Sequence, residues 1–152
     1  MLIVLEGCDG SGKTTLARSF ARILDAEIIH CTSRTPNDKK FFEGIIEASK
    51  TKNIIADRFC YGQYVYQEKK DRPLGGYTEL NYLEAKMLAA GAKVVHVGAP
   101  PHEIEERLAE RGEKLINGLN VSEVIRKFDE VFKLHSILGD NVIYWSTGGG
   151  WK

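Results

Sequence analysis

Gly7-Cys8-Asp9-Gly10-Ser11-Gly12-Lys13-Thr14 stands between an apolar run, Leu2-Ile3-Val4-Leu5, and a helix-compatible segment, Thr15 to Leu24. Its spacing fits the pattern GxxxxGK(S/T). Glycines at these places let the backbone curl with its N–H groups pointing inward, and the N-terminus of the following helix adds partial positive charge where phosphate oxygens would sit. Lys13 is then placed to reach terminal phosphates, and the Thr14 hydroxyl to hold a magnesium ion. A strand before and a helix after are the context this pattern requires.

Length and composition set the frame. A chain of 152 residues reads as one domain, 1–152, with a single core and no need of disulfides or structural metal. Lys+Arg and Asp+Glu are equal at 21 each, so no global field recruits nucleic acid or an acidic membrane, and any basic site must be local. The N-terminus has no charged leader and nowhere do 18 apolar residues run together, which predicts a cytoplasmic protein with no membrane partner. Cys8, Cys31 and Cys60 are in no ligand spacing and are expected as reduced thiols. Cys8 is expected to be oxidant-sensitive, its thiolate favoured by the helix N-terminus and Lys13.

Outward from the loop, strand and helix alternate. Leu2–Leu5 reads as a central parallel strand buried on both faces, and Glu27–Cys31 as a second strand. Pro36 marks a helix from about Asn37 to Lys50, Asn53–Ala56 is a third strand ending at Asp57, and Arg58 to about Lys69 reads as helix. The Pro- and Gly-bearing stretch Asp71–Gly76 is a loop and a candidate mobile cover. Thr78 caps a helix through Ala90, Gly91 ends it, and Lys93–Val97 is a fourth strand. Pro101 opens a helix closed by Gly112, with Glu103, Glu105 and Glu106 early and Arg107 and Arg111 late. Asn120 and Glu123 form a capping box for a last helix running to Leu138, Gly139 ends it, and Val142–Trp145 is a fifth strand. The tail Gly148–Lys152 reads as frayed or a closing flap. The alternation implies an α/β fold with about five parallel strands covered on both faces, whose ligands belong at the strands' carboxyl ends, where His30, Cys31, Asp57 and Gly98 fall.

A second constellation sits at the end of the third strand. Asp57 can orient magnesium or its waters, while the planar fork of Arg58 matches a phosphate bidentately. The plainer alternative is that the two pair with each other or cap a helix. In the helix expected next, Gln63, Tyr66 and Gln67 stand at i, i+3 and i+4, so they share a face that either reads a base or sugar or is a half-buried stripe.

With these residues in view, the chain resembles the thymidylate kinase family of nucleoside monophosphate kinases, a branch of the P-loop NTPase fold, over nearly its whole length. The family opens with EGxDGxGK(S/T)T, and here Glu6-Gly7-Cys8-Asp9-Gly10-Ser11-Gly12-Lys13-Thr14-Thr15 matches it. Counterparts of further family segments are Arg34-Thr35-Pro36-Asn37, Asp57-Arg58-Phe59 through Tyr66-Gln67, and Pro100-Pro101-His102-Glu103 with Arg107 and Arg111. The resemblance implies a three-layer fold, ATP on Gly7 through Thr15, and magnesium on Thr14 and Asp57. It implies that Asp9 bonds the sugar 3′-hydroxyl, Arg34 and Arg58 hold the acceptor's phosphate, Gln63 faces the base, and Tyr66 lies under the deoxyribose. Arg107 or Arg111 would approach the transferring phosphoryl group, and the assembly would be a homodimer.

The chain departs from the family in its second and third segments. Thr35 and Asn37 replace Glu and Gly, and Gly62 replaces Ser. Only twenty residues separate Pro36 from Asp57, so the usual thymine reader has no counterpart, unless Phe41 or Phe42 supplies a stacking surface. The leading expectation is ATP-dependent phosphorylation of a pyrimidine deoxynucleoside 5′-monophosphate, with a loose preference among thymine and uracil bases. A kinase of nucleosides or other small hydroxyl acceptors, and a non-catalytic nucleotide switch, are the alternatives. The switch would carry a guanine-reading Asn-Lys-x-Asp segment, and none follows the loop.

Overall fold

In a computed structural model, which describes residues 1–113, 116 and 118–147, the apolar run becomes strand β1 (Leu2–Glu6) at the centre of a five-stranded sheet. The other strands are β2 (Glu27–His30), β3 (Ile54–Asp57), β4 (Lys93–Gly98) and β5 (Val142–Ser146), in the order β2-β3-β1-β4-β5. All neighbours are parallel, and the register sets His30 beside Asp57, Asp57 beside Leu5, and Glu6 beside His96. The carboxyl ends of β2, β3 and β1 therefore reach the same level within one residue, and β4 runs two residues past His96, the partner of Glu6. Within the described residues, no helix is long and apolar enough to cross a membrane.

Alternation of side chains across the strands divides the core into two layers. On one face Leu5, Ile55, Val95 and Val97 pack against Ala17, Phe20 and Leu24 of helix α1 (Lys13–Leu24). The opposite face carries the larger cluster, in which Leu2, Val4, Ile54 and Val94 meet α2 (Lys39–Ala48), α4 (Tyr77–Ala89), α5 (Pro101–Glu110) and α6 (Val121–Glu130). Phe42 lies in this core, fully buried and 4.6 Å from the Phe59 ring, and Phe41 packs on its edge, so neither forms a stacking platform.

Several element boundaries differ from expectation, each for a visible reason. α2 starts at Lys39 because Asn37 is left-handed (φ 53) and bonds Thr35 and the Thr32 carbonyl, leaving Asp38 to cap through the Phe41 N–H at 2.8 Å. The helix expected over Arg58–Lys69 shrinks to one turn, α3 (Gln63–Tyr66), followed by a 3₁₀ turn at Lys69–Asp71. Arg58 is left-handed (φ 68), and the N–H groups of Phe59 and Tyr61 are taken by the Glu6 carboxylate instead of a helical ladder. Gly76, not Thr78, holds the N-cap position of α4. α6 ends at Glu130, widens into a π turn over Val131–His135, and gives way to extended chain at Ser136, while Gly139 sits in a 3₁₀ turn, Gly139–Asn141, that feeds β5. Asn120 accepts from the Glu123 N–H at 2.9 Å as the capping pattern predicts.

The stretch expected as a mobile cover is pinned. Leu74 is buried, its N–H donates to the Gln63 amide oxygen at 3.0 Å, and the Tyr64 hydroxyl donates to the Gly76 carbonyl at 2.9 Å. The tail Gly148–Lys152, expected as frayed or a closing flap, lies outside the described residues.

Glu84 draws this face together. Completely buried on α4, it accepts from the Tyr61 hydroxyl at 2.8 Å, Asn81 Nδ2 at 2.9 Å, the Ile137 N–H at 3.1 Å and the Ser136 hydroxyl. It ties the loop after β3 to the chain leaving α6, and explains why α6 stops early. Glu84→Ala strands several buried donors and is expected to cost about 3 kcal/mol of unfolding free energy. Urea denaturation checks this, and a loss below about 1 kcal/mol would contradict it.

Candidate functional site

The loop between β1 and α1 forms the floor of a cleft of about 760 Å³ at the carboxyl ends of the strands. Its curl depends on positive φ at Gly7, Gly10 and Gly12 (149°, 83° and 95°). Gly7 is also excluded from substitution by contact, because a Cβ there would lie 2.1 Å from the Val97 carbonyl oxygen. The far side of the loop is closed by Thr147, whose hydroxyl donates to the Ser11 carbonyl and whose N–H donates to Gly98 at 2.7 Å.

Four cationic side chains surround this cleft, and the three with described contacts are tied in place. Lys13 is buried at 5% exposure, with Nζ donating to the carbonyls of Gly7 (2.8 Å) and Cys8 (3.0 Å). Burial lowers its pKa, opposed by the charges of Glu6 and Asp57. Arg58 donates through Nη2 to Asp9 Oδ1 rather than pairing with its neighbour Asp57. Arg107 donates to the Gly10 carbonyl at 2.6 Å and lies 3.6 Å from Glu103, so the i,i+4 pair and the reach to the loop coexist. Arg111 lines the same wall. α5 thus leans its basic face over the loop.

Opposite them, a single carboxylate oxygen gathers two partners. The Thr14 hydroxyl donates to Asp57 Oδ2 at 2.9 Å, and His30 Nδ1 lies 3.1 Å from the same oxygen. A hydroxyl and a carboxylate this close are hard oxygen donors suited to magnesium, which takes few protein ligands and fills its shell with water and phosphate. Among the described residues, no group of three or more His, Cys, Asp or Glu could hold a metal by itself. Thr14 and Asp57 fit the ion the sequence implies.

The remaining candidates do not converge on this cleft. Gln63 is buried with both ends of its amide in use, Nε2 donating to the Asn37 carbonyl at 2.7 Å and Oε1 accepting from Leu74, so it braces the fold rather than facing the cleft. Gln67 lies beyond the one-turn helix in extended backbone and is exposed, so it does not share a face with Gln63 and Tyr66. Arg34 is exposed in the turn before α2 and does not line the cleft. Tyr66 packs edge-on to Phe128, with its hydroxyl buried and unpartnered, and likewise stands outside the lining. Thr15 lines the cleft, while Gly7, Cys8 and Ser11 lie beneath it.

Cys8 reverses its expectation. It is buried at 3% exposure, and desolvation pushes its thiol up to about 11 despite the nearby Lys13 and Arg58, so the thiolate is disfavoured. Burial outweighs the helix end and the charges that the sequence brings close.

Sequence reasoning assigned no role to Glu6. At 1% exposure its carboxylate accepts from the N–H groups of Phe59 (3.2 Å) and Tyr61 (2.9 Å), which holds the segment carrying Asp57 and Arg58 against the phosphate loop. Its sequence signals are its place at the head of the EGxDGxGK(S/T)T match and its acidity at the end of an otherwise apolar strand.

No protein-family model matches the chain. The SPbeta prophage-derived uncharacterized protein YorR of Bacillus subtilis is 34% identical over 151 residues, covering 97% of this chain and 89% of YorR. The crystal structure of YorR in complex with phosphorylated GDP aligns with a TM-score of 0.77 at 32% identity, over 98% of this chain and 87% of that one. A deoxyadenosine kinase from M. mycoides with the products dCMP and dCDP aligns at TM-score 0.58 and 16% identity, over 96% and 90% of the two chains. Thymidylate kinase from Candida albicans aligns at 0.53 and 16%, over 99% and 84%. The last two share the fold: a five-stranded parallel sheet with helices, as in P-loop kinases.

Glu6 leads to a pH dependence. Burial raises its pKa from 4.5 to about 7, with Lys13 and the two N–H groups pulling the other way. Between those values the folded chain holds a proton that the unfolded chain has released, so this group's contribution is fully present below about pH 4.5 and is lost as pH rises towards 7. The loss amounts to roughly 3 kcal/mol. Urea unfolding of wild type and Glu6→Gln from pH 4.5 to 8 should show stability falling more steeply with pH in the wild type, and parallel curves would refute the assignment.

Proposed function

We propose that this chain, which belongs to the family of the YorR protein of Bacillus subtilis, is a kinase that transfers the γ-phosphoryl group of ATP to a nucleoside 5′-monophosphate. The observation that carries the reading is the meeting of Thr14 with Asp57 Oδ2 at 2.9 Å inside a cleft bordered by Lys13, Arg58, Arg107 and Arg111. That arrangement offers donor-phosphate, metal and acceptor-phosphate functions on adjoining walls.

In this reading the N–H groups of the loop and Lys13 hold the donor's terminal phosphates, with Lys13 exchanging its carbonyl partners for phosphate oxygens. Thr14 and Asp57 hold magnesium, which when bound neutralises charge between the donor's phosphates. Arg58 leaves its single contact with Asp9 and turns its fork to the acceptor's phosphate, leaving Asp9 to accept from a sugar hydroxyl. Arg107 and Arg111 stabilise charge spread over the moving phosphoryl group. Transfer is in line and direct, with positioning and charge neutralisation supplying most of the rate.

The acceptor favoured by the sequence resemblance is a pyrimidine deoxynucleotide of the dTMP or dUMP kind. Gln63 is committed to the fold, so base selection in this reading is loose. One observation favours a second acceptor class. Arg34 lies outside the cleft, which leaves Arg58 the one arginine this reading assigns to the acceptor's phosphate among the described residues, and a nucleoside hydroxyl acceptor needs neither. YorR was crystallised with phosphorylated GDP, so guanine nucleotides belong in the trial set as donor and as acceptor. Product formation from ATP and magnesium with each nucleoside and each deoxy- and ribonucleoside monophosphate separates the readings. A monophosphate as best acceptor supports the proposal, a nucleoside favours the second reading, and no acceptor-dependent turnover refutes both.

Two variants test the residue roles. Lys13→Ala should lose about a hundredfold or more in kcat, roughly 3 kcal/mol of barrier, and a loss within about threefold would overturn its role. Arg58→Lys should lower kcat/KM for the monophosphate with ATP affinity nearly unchanged by direct titration, because an ammonium cannot reproduce the fork. An equal fall in ATP binding would place Arg58 on the donor side.

A further inference from the structure

A second cavity of about 490 Å³ lies behind the phosphate loop, between the ends of β4 and β5 and the start of α5 and middle of α6. It shares no lining residue with the cleft. The boundary runs through the backbone: Cys8 faces the second cavity and Asp9 the cleft, and Ser146 faces the second cavity and Thr147 the cleft.

The chemistry of the two spaces is opposite. Lysine and arginine border the cleft, whereas the second cavity is lined mainly by apolar and aromatic side chains and by no lysine or arginine among the described residues. Its charged residue is Asp129, partly exposed on α6, and a carboxylate there disfavours an anionic occupant. In its wall stands His96, 9% exposed, with Nδ1 buried and without a hydrogen-bond partner. Its ring packs within 5.8 Å of Phe128 and 5.2 Å of Tyr144. Burial lowers its pKa to about 4, so at neutral pH it is an uncharged imidazole able to donate one hydrogen bond and accept another. A buried polar atom left unsatisfied is uncommon in a folded protein, and here the ring that carries it lines a ligand-sized space beside the exposed ring of Tyr144.

We propose that this cavity is a binding site for an uncharged planar heteroaromatic molecule of nucleobase or nucleoside size, which stacks on the exposed ring of Tyr144 and hydrogen-bonds His96. Tyr144 supplies area and ring contact, His96 supplies orientation, and Asp129 and Ser146 face any sugar hydroxyls. Phosphorylated forms are excluded by Asp129 and by the lack of a lining cation. The site is independent of the kinase reading.

The test uses Trp145, which lines the cavity, as the reporter in a Trp151→Phe background that leaves it the single tryptophan. Free bases, nucleosides and their 5′-monophosphates are titrated separately. At least one base or nucleoside should bind saturably and at least tenfold more tightly than its monophosphate. His96→Leu and the cavity-filling Ile125→Trp should each weaken that binding tenfold or more when followed by calorimetry, while Arg58→Ala leaves it unchanged. Ile125 is half-exposed, so the filling variant is expected to fold even if His96→Leu does not. No binding of any base or nucleoside at millimolar concentration overturns the proposal. So does binding that Ile125→Trp leaves intact, or that Arg58→Ala abolishes, since the molecule would then occupy the cleft.

Discussion

The structure depends on one buried carboxylate. Glu6 ends the central strand and, sealed from solvent, receives two N–H groups from the segment that leaves the neighbouring strand. Those hydrogen bonds prevent a helix from starting at Arg58, hold its backbone left-handed, and so aim the guanidinium back at Asp9 of the phosphate loop. The two halves of the cleft, one from residues 7–15 and one from residues 57–58, are thus registered to each other by a side chain beneath both. The cost is a carboxylate deprived of water, which is why its proton affinity is raised.

The same economy governs the cations. Lys13 rests on loop carbonyls, Arg58 on Asp9, and Arg107 on Gly10 and Glu103. In the proposed reading, a phosphate entering such a site exchanges one set of hydrogen-bond acceptors for another. For Lys13, desolvation has been met in folding, and the two arginines keep part of their surface in water while hydrogen bonds hold them beside the loop.

What the sequence made legible was local. The glycines and Lys13-Thr14 announce the loop because their pattern is contiguous, and strand–helix alternation announces a parallel sheet with its ligands at the carboxyl ends. The illegible parts depend on partners about fifty residues away. Nothing near Phe59 foretells that its N–H will bond Glu6, 53 positions earlier, and nothing near Ser136 foretells Glu84, 52 positions earlier. Both contacts end or prevent helices that local propensity favours. The face drawn through Gln63, Tyr66 and Gln67 failed for the same reason, since a 3.6-residue period has no meaning across a helix of four residues. Cys8 was misread because proximity to charge is visible in a sequence and burial is not.

The closure of the phosphate loop by Thr147 reaches 136 residues along the chain. Synthesis makes residues 7–14 early, yet their curl is backed by the Val97 carbonyl and locked by a hydroxyl near the far end of the sheet. On the ribosome, then, the loop is present long before it is shaped. A nascent chain carrying the full sequence signature of the loop would still lack these two contacts until β4 and β5 had joined the sheet. If the proposed function holds, nucleotide binding would therefore be acquired late and in one step, as a property of the closed sheet rather than of the segment that bears the motif.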